Sequence, residues 1–304
     1  MRMGIDLGGT KIEGTVLDDS GSIVWRQRVA TPAEDYCAVI DAIDKLVSAM
    51  CRDNTLPADL PVGIGTPGTY ARAEKVMKNC NSVYLNGRDF PADLKEKLNR
   101  DVRVANDANC FTLSEAVSGA ARDGKVVFGV ILGTGAGGGL VVDRKVLEGG
   151  NGICGEWGHN PLIRQSIVHP GEIVEQYQDR NCYCGRKNCV ETFVSGTGFQ
   201  NTYYLQTGKK LPAVDIYRAA HAGDKPSETV LKVFFQQLAR NLAVIINIVD
   251  PDIIVVGGGL SNMSSLYEAV PELWRPYVFS DRITTRLLPA THGDSSGVIG
   301  AAWL

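Results

Sequence analysis

Three cysteines and a histidine are the residues whose types and spacing most clearly predict chemistry. Cys182, Cys184 and Cys189 occur in one short segment, NCYCGRKNCVE. Structural zinc sites use four nitrogen or sulfur ligands arranged in a tetrahedron. His159, in GEWGHNP, is the natural fourth ligand, and His169 is the alternative because it lies nearer in sequence. The spacing therefore predicts a structural zinc site and leaves its histidine ligand open.

A second candidate group surrounds Asp107, in the segment VANDAN. A strand is predicted before Asp107 and a helix after it, so its carboxylate is either a helix N-cap or a general base. A base here could accept the proton of a substrate hydroxyl during phosphoryl transfer. Asn106, Asn81 and Glu156 are candidates to bind substrate hydroxyls. Glu156 and Glu191 flank the cysteine segment, where zinc could aim both acids at a sugar.

Three glycine-rich turns each follow an apolar strand, at residues 8–10, 133–139 and 257–259. Residues without a Cβ let backbone N–H groups approach phosphate closely, although each turn alone could be a simple tight turn. The second turn contains GxGxxG, but the strand predicted after it excludes a dinucleotide-binding fingerprint, which needs a helix. The sequence also lacks the Walker pattern GxxxxGK[ST]. The turns therefore predict a nucleotide site made of hairpin tips.

An acidic residue, Asp6, interrupts the apolar strand before the first of these turns. One interpretation is that Asp6 caps the turn by bonding nearby backbone. The other is that it anchors Mg²⁺, directly or through water, because magnesium binds one or two carboxylates together with phosphates.

The elements that must position these residues show a weak internal repeat. Residues 3–17 and 126–142 both read as a hairpin with glycines at its tip. Further strands are predicted at 62–64, 102–105 and 253–256, and helices at 36–50, 108–120, 191–206, 214–222, 228–249 and 297–304. Strands that alternate with helices predict an α/β class with mostly parallel strands, built as two domains.

Composition excludes several function classes. The 304 residues include 31 basic and 34 acidic side chains, and the net charge of -3 argues against nucleic-acid or membrane partners. No signal peptide is recognisable, and the apolar stretch 242–249 is shorter than the ~20 residues of a membrane span, so we expect a cytoplasmic protein. Eight cysteines in a chain of this size do not indicate a disulfide framework.

Seven motifs together resemble the ROK group of sugar kinases (repressors, open reading frames and kinases) in the actin, hexokinase and Hsp70 superfamily. They are IDLGGTK at 5–11, GIGTPG at 63–68, ANDAN at 105–109, LGTGAGGG at 132–139, GEWGH at 155–159, CYCGRKNCVET at 182–192 and VVGGGLS at 255–261. The resemblance implies two ribonuclease-H-like domains with an interdomain cleft and a small zinc knuckle. The expected domains are 1–118, completed by the helix 292–304, and 119–291, with the zinc-binding insert at 155–192.

The resemblance also implies roles for individual residues. Asp107 would be the catalytic base, with the sugar held by Asn81, Asn106, Asp107, Glu156, His159 and Glu191. ATP and Mg²⁺ would bind at Asp6, Gly8, Gly9, Thr10, Lys11, Gly133, Thr134, Gly135, Gly137, Gly138, Gly139, Gly257 and Gly258. Zn²⁺ would bind at His159, Cys182, Cys184 and Cys189. Residues 160–181 depart from the usual pattern, because many members keep the histidine much closer to the first cysteine. A homodimer is a further implication.

Within the group, three segments look most like bacterial fructokinases of the mannofructokinase type: 79–87, 158–162 and 292–304. We therefore expect fructose, and possibly mannose, as the substrate phosphorylated at the 6-hydroxyl. The alternatives are N-acetylglucosamine and then glucose, since the chain length and the longer insert are shared with N-acetylglucosamine kinases. A sugar-sensing transcriptional repressor is disfavoured, because no helix-turn-helix precedes the strand that begins near Met3.

Overall fold

The computed structural model describes residues 1–32 and 35–304, which fall into two units. The first unit comprises Met1–Arg122, Gly139–Cys154 and Thr291–Leu304, and the second comprises Asp123–Gly138 and Gly155–Ala290. This division differs from the expected domain bounds at residues 119–122, 139–154 and 291. Within the first unit, Glu148 forms an ion pair of 2.7 Å with Arg72.

The regular elements alternate along the chain as the α/β prediction requires. The strands are β1 (Arg2–Leu7), β2 (Lys11–Leu17), β3 (Ile23–Ala30), β4 (Val62–Thr66), β5 (Thr69–Ala71), β6 (Val76–Lys78), β7 (Val102–Asn106), β8 (Val126–Leu132), β9 (Ala136–Val142), β10 (Lys145–Val146), β11 (Ile253–Gly257) and β12 (Arg286–Pro289). The helices are α1 (Tyr36–Asn54), α2 (Phe90–Leu98), α3 (Asp107–Val117), α4 (Glu191–Val194), α5 (Gly196–Thr207), α6 (Ala213–His221), α7 (Lys225–Val249), α8 (Leu266–Trp274) and α9 (Ser296–Ala302).

Each half of the chain contributes a five-stranded sheet. The first has the order β3-β2-β1-β4-β7, and the second has the order β10-β9-β8-β11-β12. β1, β4 and β7 run parallel, as do β8, β11 and β12, whereas β1, β2 and β3 form an antiparallel meander. Because β4, β7, β11 and β12 are parallel to the strand that opens each hairpin, their carboxyl ends lie at the same sheet edge as the hairpin's tip.

Helix α1 confirms the spacing read from the sequence. Val39, Ile43 and Met50 on its apolar face are fully buried against the first sheet. Its N-cap is Asp35, whose carboxylate accepts a hydrogen bond of 3.0 Å from the Ala38 N–H. The helix therefore begins at the residue that the sequence predicts.

The helix expected at 191–206 is two helices, α4 and α5. Ser195 separates them because its backbone is extended (ψ 170°) and its hydroxyl accepts a hydrogen bond of 3.0 Å from the Gly198 N–H. The serine thus serves as the N-cap of α5. Glu191 consequently lies at the start of a short, separate helix beside the cysteine segment.

Helix α7 is long and apolar enough to meet the length and composition criteria for a membrane span. However, 78% of its most apolar window is buried inside the protein. It contacts α5, α6 and α8 within the second unit. We therefore interpret α7 as a core helix of this unit.

Helix α9 packs against α3 and the first sheet, and Gly300 is the point of closest approach. A Cβ at residue 300 would overlap the backbone carbonyl of Cys110 in α3, which cannot turn aside as a side chain can. We expect Gly300→Ala to lower the free energy of unfolding by about 1–3 kcal/mol, the usual range for overpacking. Urea unfolding measures this, with Gly150→Ala as the control because no atom lies within 4 Å of a Cβ there. Equal effects of the two substitutions would contradict the packing argument.

Candidate active site and metal-ligand cluster

Four side chains of the second unit form a metal-ligand cluster: His159, Cys182, Cys184 and Cys189. One ligand atom from each lies within 4.8 Å of all the others. Sγ of Cys182 is 3.6 Å from Nδ1 of His159, and the sulfurs of Cys184 and Cys189 are also 3.6 Å apart. Zn–S bonds of about 2.3 Å in a tetrahedron place sulfur atoms roughly 3.8 Å apart. The donor set and its spacing therefore fit zinc.

The local backbone explains how these residues meet. Gly185 turns the chain with φ +84°, and the Cys182 N–H donates to the Arg186 carbonyl (2.9 Å), so the cysteine segment folds back on itself. An isolated bridge pairs Pro161 with Cys189, which brings the segment after His159 beside the last cysteine. The cluster is thus assembled by two chain segments that pair with each other.

The structure separates the two histidines that the sequence left open. His159 lies in the cluster, whereas the His169 ring stacks edge-on against Tyr277, with centroids 5.1 Å apart. Nε2 of His159 is 3.0 Å from the Tyr183 hydroxyl. A metal bound at Nδ1 would leave the proton on Nε2, which His159 could then donate to Tyr183 or to a substrate hydroxyl. Tyr183 was not a sequence candidate, because its role depends on the folded position of His159.

Residues 160–181 are fastened to α7 by buried polar side chains. The Glu175 carboxylate accepts hydrogen bonds from Arg240 (2.6 Å), Gln236 (3.0 Å) and Gln237 (3.1 Å) of α7. Tyr177 donates to the same carboxylate at 2.6 Å. The Glu175 and Arg240 side chains are 0% and 1% exposed, so this ion pair is shielded from water. The insert is therefore an integral part of the second unit.

Glu191 and Glu156 lie beside the cluster. The Oε2 atom of Glu191 accepts a hydrogen bond of 2.9 Å from the Ala136 N–H, and its Oε1 atom is 3.9 Å from the Cys182 sulfur. Partial desolvation, followed by the charges of Glu191 and Glu156, raises the pKa of the Tyr183 hydroxyl, although most of this side chain is exposed. Both acids therefore lie close enough to the Tyr183 hydroxyl to affect its ionisation.

The glycine-rich turn between β8 and β9 lies in the same unit. Its Gly133 N–H donates to the Gly135 carbonyl (3.0 Å), and its Gly133 carbonyl accepts from the Gly196 N–H (2.7 Å) at the start of α5. A cavity of about 440 Å³ adjoins the turn. It is lined in part by Leu132, Thr134, Val214, Tyr217, Leu260 and Met263. Thr134 and Gly135, at the accessible tip of the turn, could offer backbone amides to a phosphate, and the adjoining cavity suits a flat ring.

Three of the predicted nucleotide glycines are buried in the structure. Gly138 and Gly139 are buried within β9, where Gly138 packs against Trp157 and Gly139 against Thr112. Gly257 is buried at the end of β11. Their assignment to the nucleotide site stays a prediction, and in the structure the glycine run continues into β9, where Gly138 and Gly139 allow close packing. Thr134 and Gly258 are exposed, and Gly133, Gly135 and Gly137 are partly exposed.

In the first unit, Asn106 and not Asp107 is the N-cap of α3. The Asn106 side chain accepts a hydrogen bond of 2.8 Å from the Asn109 N–H. Asp107 is the first helical residue, and its Oδ1 atom accepts from the Ala108 N–H at 2.8 Å. The Asp107 side chain remains accessible to solvent. The capping interpretation of Asp107 was therefore wrong, and its carboxylate is available for chemistry.

Desolvation raises the pKa of Asp107, and the Ala108 N–H partly opposes this effect. The pKa of Asp6 rises from 3.8 to about 6, first because of burial and then because of the negative charges of Asp107 and Glu13. Asp6 and Glu13 are direct partners across β1 and β2. The sheet and α3 thus bring two acids, Asp6 and Asp107, into electrostatic contact. Such a pair favours a bound cation or a shared proton.

The turn at residues 8–10 closes the β1–β2 hairpin beside Asp6. The Gly8 N–H donates to the Lys11 carbonyl (3.0 Å), and the Thr31 hydroxyl donates to the Gly8 carbonyl (2.7 Å). Gly9, Thr10 and Lys11 are exposed. Asn81 is exposed in the loop before the short 3₁₀ turn Val83–Leu85, and its role remains a prediction.

The raised pKa of Asp6 gives a prediction about stability. The folded protein binds the Asp6 proton more tightly than the unfolded chain does, so the contribution of Asp6 to stability falls as the pH rises from about 4 to about 6. Without nucleotide or divalent ions, we expect Asp6→Asn to raise the free energy of unfolding by about 1–3 kcal/mol at pH 7 and to change it little at pH 4. Urea unfolding across this range measures the difference. Asp59→Asn, which changes an exposed acid, is the control; a pH-independent effect of Asp6→Asn would contradict the argument.

Comparison with known proteins assigns the family. Residues 2–304 match the family model described as the ROK family. The chain belongs to the ROK family. It is 36% identical over 304 residues to the N-acetyl-D-glucosamine kinase of Vibrio vulnificus strain YJ016, covering 100% of this chain and 99% of that protein.

Solved structures of ROK proteins share the fold. The ROK hexokinase from Thermus thermophilus superposes with a TM-score of 0.84 at 28% identity, over 99% of this chain and 96% of that one. The ROK family glucokinase from Streptomyces griseus, in complex with glucose and AMPPNP, gives a TM-score of 0.70 at 25% identity, over 99% and 97%. The expected ROK sugar kinase fold, with two α/β domains of the actin and hexokinase type, is confirmed.

Proposed function

We propose that this ROK sugar kinase transfers the γ-phosphoryl group of ATP to the 6-hydroxyl of N-acetylglucosamine. The catalytic part of this proposal rests on one observation at the start of α3: the N-cap is Asn106 and not Asp107. Asn106 caps the helix, which leaves the solvent-accessible Asp107 carboxylate to act as a base. The full-length similarity to an N-acetyl-D-glucosamine kinase supports the sugar. It supports the alternative named above better than fructose, which remains unconfirmed.

In the proposed reaction, Asp107 accepts the proton of the sugar hydroxyl as that oxygen attacks the γ-phosphorus of ATP. The raised pKa of Asp107 makes it a better proton acceptor than an ordinary aspartate. Asp6 would hold Mg²⁺, directly or through water, and the ion would neutralise charge on the phosphates when bound. The repulsion between Asp6 and Asp107 is relieved when a cation is held there.

The nucleotide would use two kinds of contact in the second unit. Backbone amides of Thr134 and Gly135 in the turn and of Gly258, which is exposed at φ +81°, would bind the phosphates. The cavity lined by Tyr217, Leu260 and Met263 has an apolar surface that suits the base. From the first unit, residues 8–11 offer accessible backbone groups and the Lys11 ammonium.

The sugar hydroxyls would be bound by Asn106, Glu156, His159 and Glu191. We propose that Zn²⁺ occupies the cluster of His159 and the three cysteines, where it would fix the backbone that carries both acids. The site would be structural, because all four ligands come from the protein. An assembly into homodimers remains a prediction, and the repressor alternative has no observation in its favour among the described residues.

A coupled assay for ADP release with N-acetylglucosamine, fructose, mannose and glucose tests the proposed substrate. We expect kcat/KM for N-acetylglucosamine to exceed that for each other sugar by at least about 10-fold, because pockets that hydrogen-bond a substrate group reject analogues that lack it. A higher kcat/KM for fructose would restore the substrate expected from the sequence. No turnover with any hexose would overturn the kinase assignment.

A further inference from the structure

Glu191 lies between the metal-ligand cluster and the glycine turn and contacts both. Its Oε1 atom is 3.9 Å from the sulfur of Cys182, and its Oε2 atom accepts the Ala136 N–H at 2.9 Å. Glu191 follows Cys189 by two residues and opens helix α4. The Thr192 N–H donates to the Cys189 carbonyl at 2.9 Å, which ties this helix to the last cysteine of the cluster. The position of the Glu191 carboxylate therefore depends on how the cluster is held.

The glycine turn is shaped around this carboxylate. A Cβ at residue 135 would overlap the Oε2 atom of Glu191, so alanine there would push the carboxylate aside from its present position. The turn's other support is the Gly196 N–H, which donates to the Gly133 carbonyl. Without Glu191, the side of the turn at Ala136 would lose its anchor while the side at Gly133 kept one. The exposed amides between these two anchors are those proposed to bind phosphate.

We propose that Glu191 is a positioning residue that transmits the geometry of the metal-bound cluster to the nucleotide turn, so that nucleotide affinity depends on the metal. This role rests on the proposed nucleotide site and is additional to any contact with the sugar. It requires only that Glu191 present a hydrogen-bond acceptor at the correct distance. Glutamine meets this requirement, whereas alanine does not and aspartate is one methylene too short.

Four variants of the metal-loaded protein separate this role from a sugar-binding role. The measurement is the Kd for ADP with Mg²⁺, by calorimetry in the absence of sugar. We expect Glu191→Ala and Glu191→Asp to raise this Kd about 10-fold, as for the loss of one charge-assisted hydrogen bond, and Glu191→Gln to change it less than about 3-fold. Gly135→Ala disturbs the contact between the Glu191 carboxylate and the glycine turn from the side of the turn. We expect it to raise the Kd for ADP by a similar factor. Glu268→Ala, at an exposed position of α8, is the control.

The metal dependence is tested by removing the metal from wild type and Glu191→Ala with a strong chelator and measuring both values of Kd again. Wild type should lose about 10-fold in ADP affinity. Glu191→Ala should lose little more, because it already lacks the hydrogen bond between the Glu191 carboxylate and the Ala136 N–H. Circular dichroism checks that the metal-free protein stays folded. If it unfolds, the comparison of Glu191→Gln with Glu191→Ala, both metal-loaded, still decides whether Glu191 positions the turn, and the unfolding itself shows that the fold around the turn depends on the metal.

Equal ADP affinity of wild type, Glu191→Ala and Gly135→Ala would overturn the positioning role and leave the proposed function intact. An unchanged wild-type Kd after metal removal, in a folded protein, would overturn the metal dependence. Failure of the metal-loaded wild type to bind ADP at all would instead overturn the proposed nucleotide site, and this inference with it.

Discussion

Asp107→Asn is expected to lower kcat by about 10²- to 10⁴-fold, the usual contribution of a general base. Asparagine keeps the size of the side chain and an oxygen that can accept the Ala108 N–H, but it cannot accept the substrate proton. The Kd for ADP should change little, and the thermal stability without ligands should rise at neutral pH, because the substitution removes a desolvated charge that repels Asp6. The ADP-release assay, together with calorimetry for ADP, measures both quantities.

Asp101→Asn is the matched control for this substitution. Asp101 is exposed in the same unit and forms only surface ion pairs with Lys95 and Arg103. Its substitution should leave kcat unchanged. Retained turnover in Asp107→Asn would remove Asp107 from the role of base, whatever the control showed.

Cys189→Ser is expected to reduce the bound metal from about one equivalent per chain to a small fraction of that. Cys189 is 1% exposed, so the weaker serine ligand would sit in a place that water cannot easily fill. Because metal binding to a structural site stabilises the folded state, we expect the free energy of unfolding to fall by about 2–4 kcal/mol. Elemental analysis and urea unfolding measure these two effects.

Cys37→Ser tests whether the effect belongs to the cluster. Cys37 is an exposed cysteine of α1 and lies outside the four-ligand group. The Cys37→Ser protein should bind as much metal as wild type and should have the same free energy of unfolding. A Cys189→Ser protein that retained a full equivalent of tightly bound zinc would exclude the proposed coordination.

The sequence predicts best those features that depend on near neighbours in the chain. The apolar spacing of α1 and the alternation of strands and helices are local, and they were read correctly. The motifs predicted the cysteine ligands in the same way, since all three lie within one segment. β3 was missed, because as an edge strand it is largely exposed and carries no apolar alternation.

Features that depend on distant contacts could not be read from the sequence. Gly138 and Gly139 belong to the same glycine run as Gly133, and only the burial of β9 shows that they pack against Trp157 and Thr112. Likewise, the sequence made Asp107 a candidate N-cap of α3, whereas the N-cap in the structure is Asn106. The choice depends on the extended backbone of Asn106 at the end of β7.

The attachment of residues 160–181 to α7 has a consequence for how the metal acts. A cross-link that closes a flexible loop gains stability from the chain entropy that it removes. Here the span between the histidine ligand and the first cysteine is held by Glu175 and Arg240 before any ion arrives. A zinc ion bound as proposed would therefore meet a span that is already held against α7, and we expect its removal to leave the fold of residues 160–181 in place.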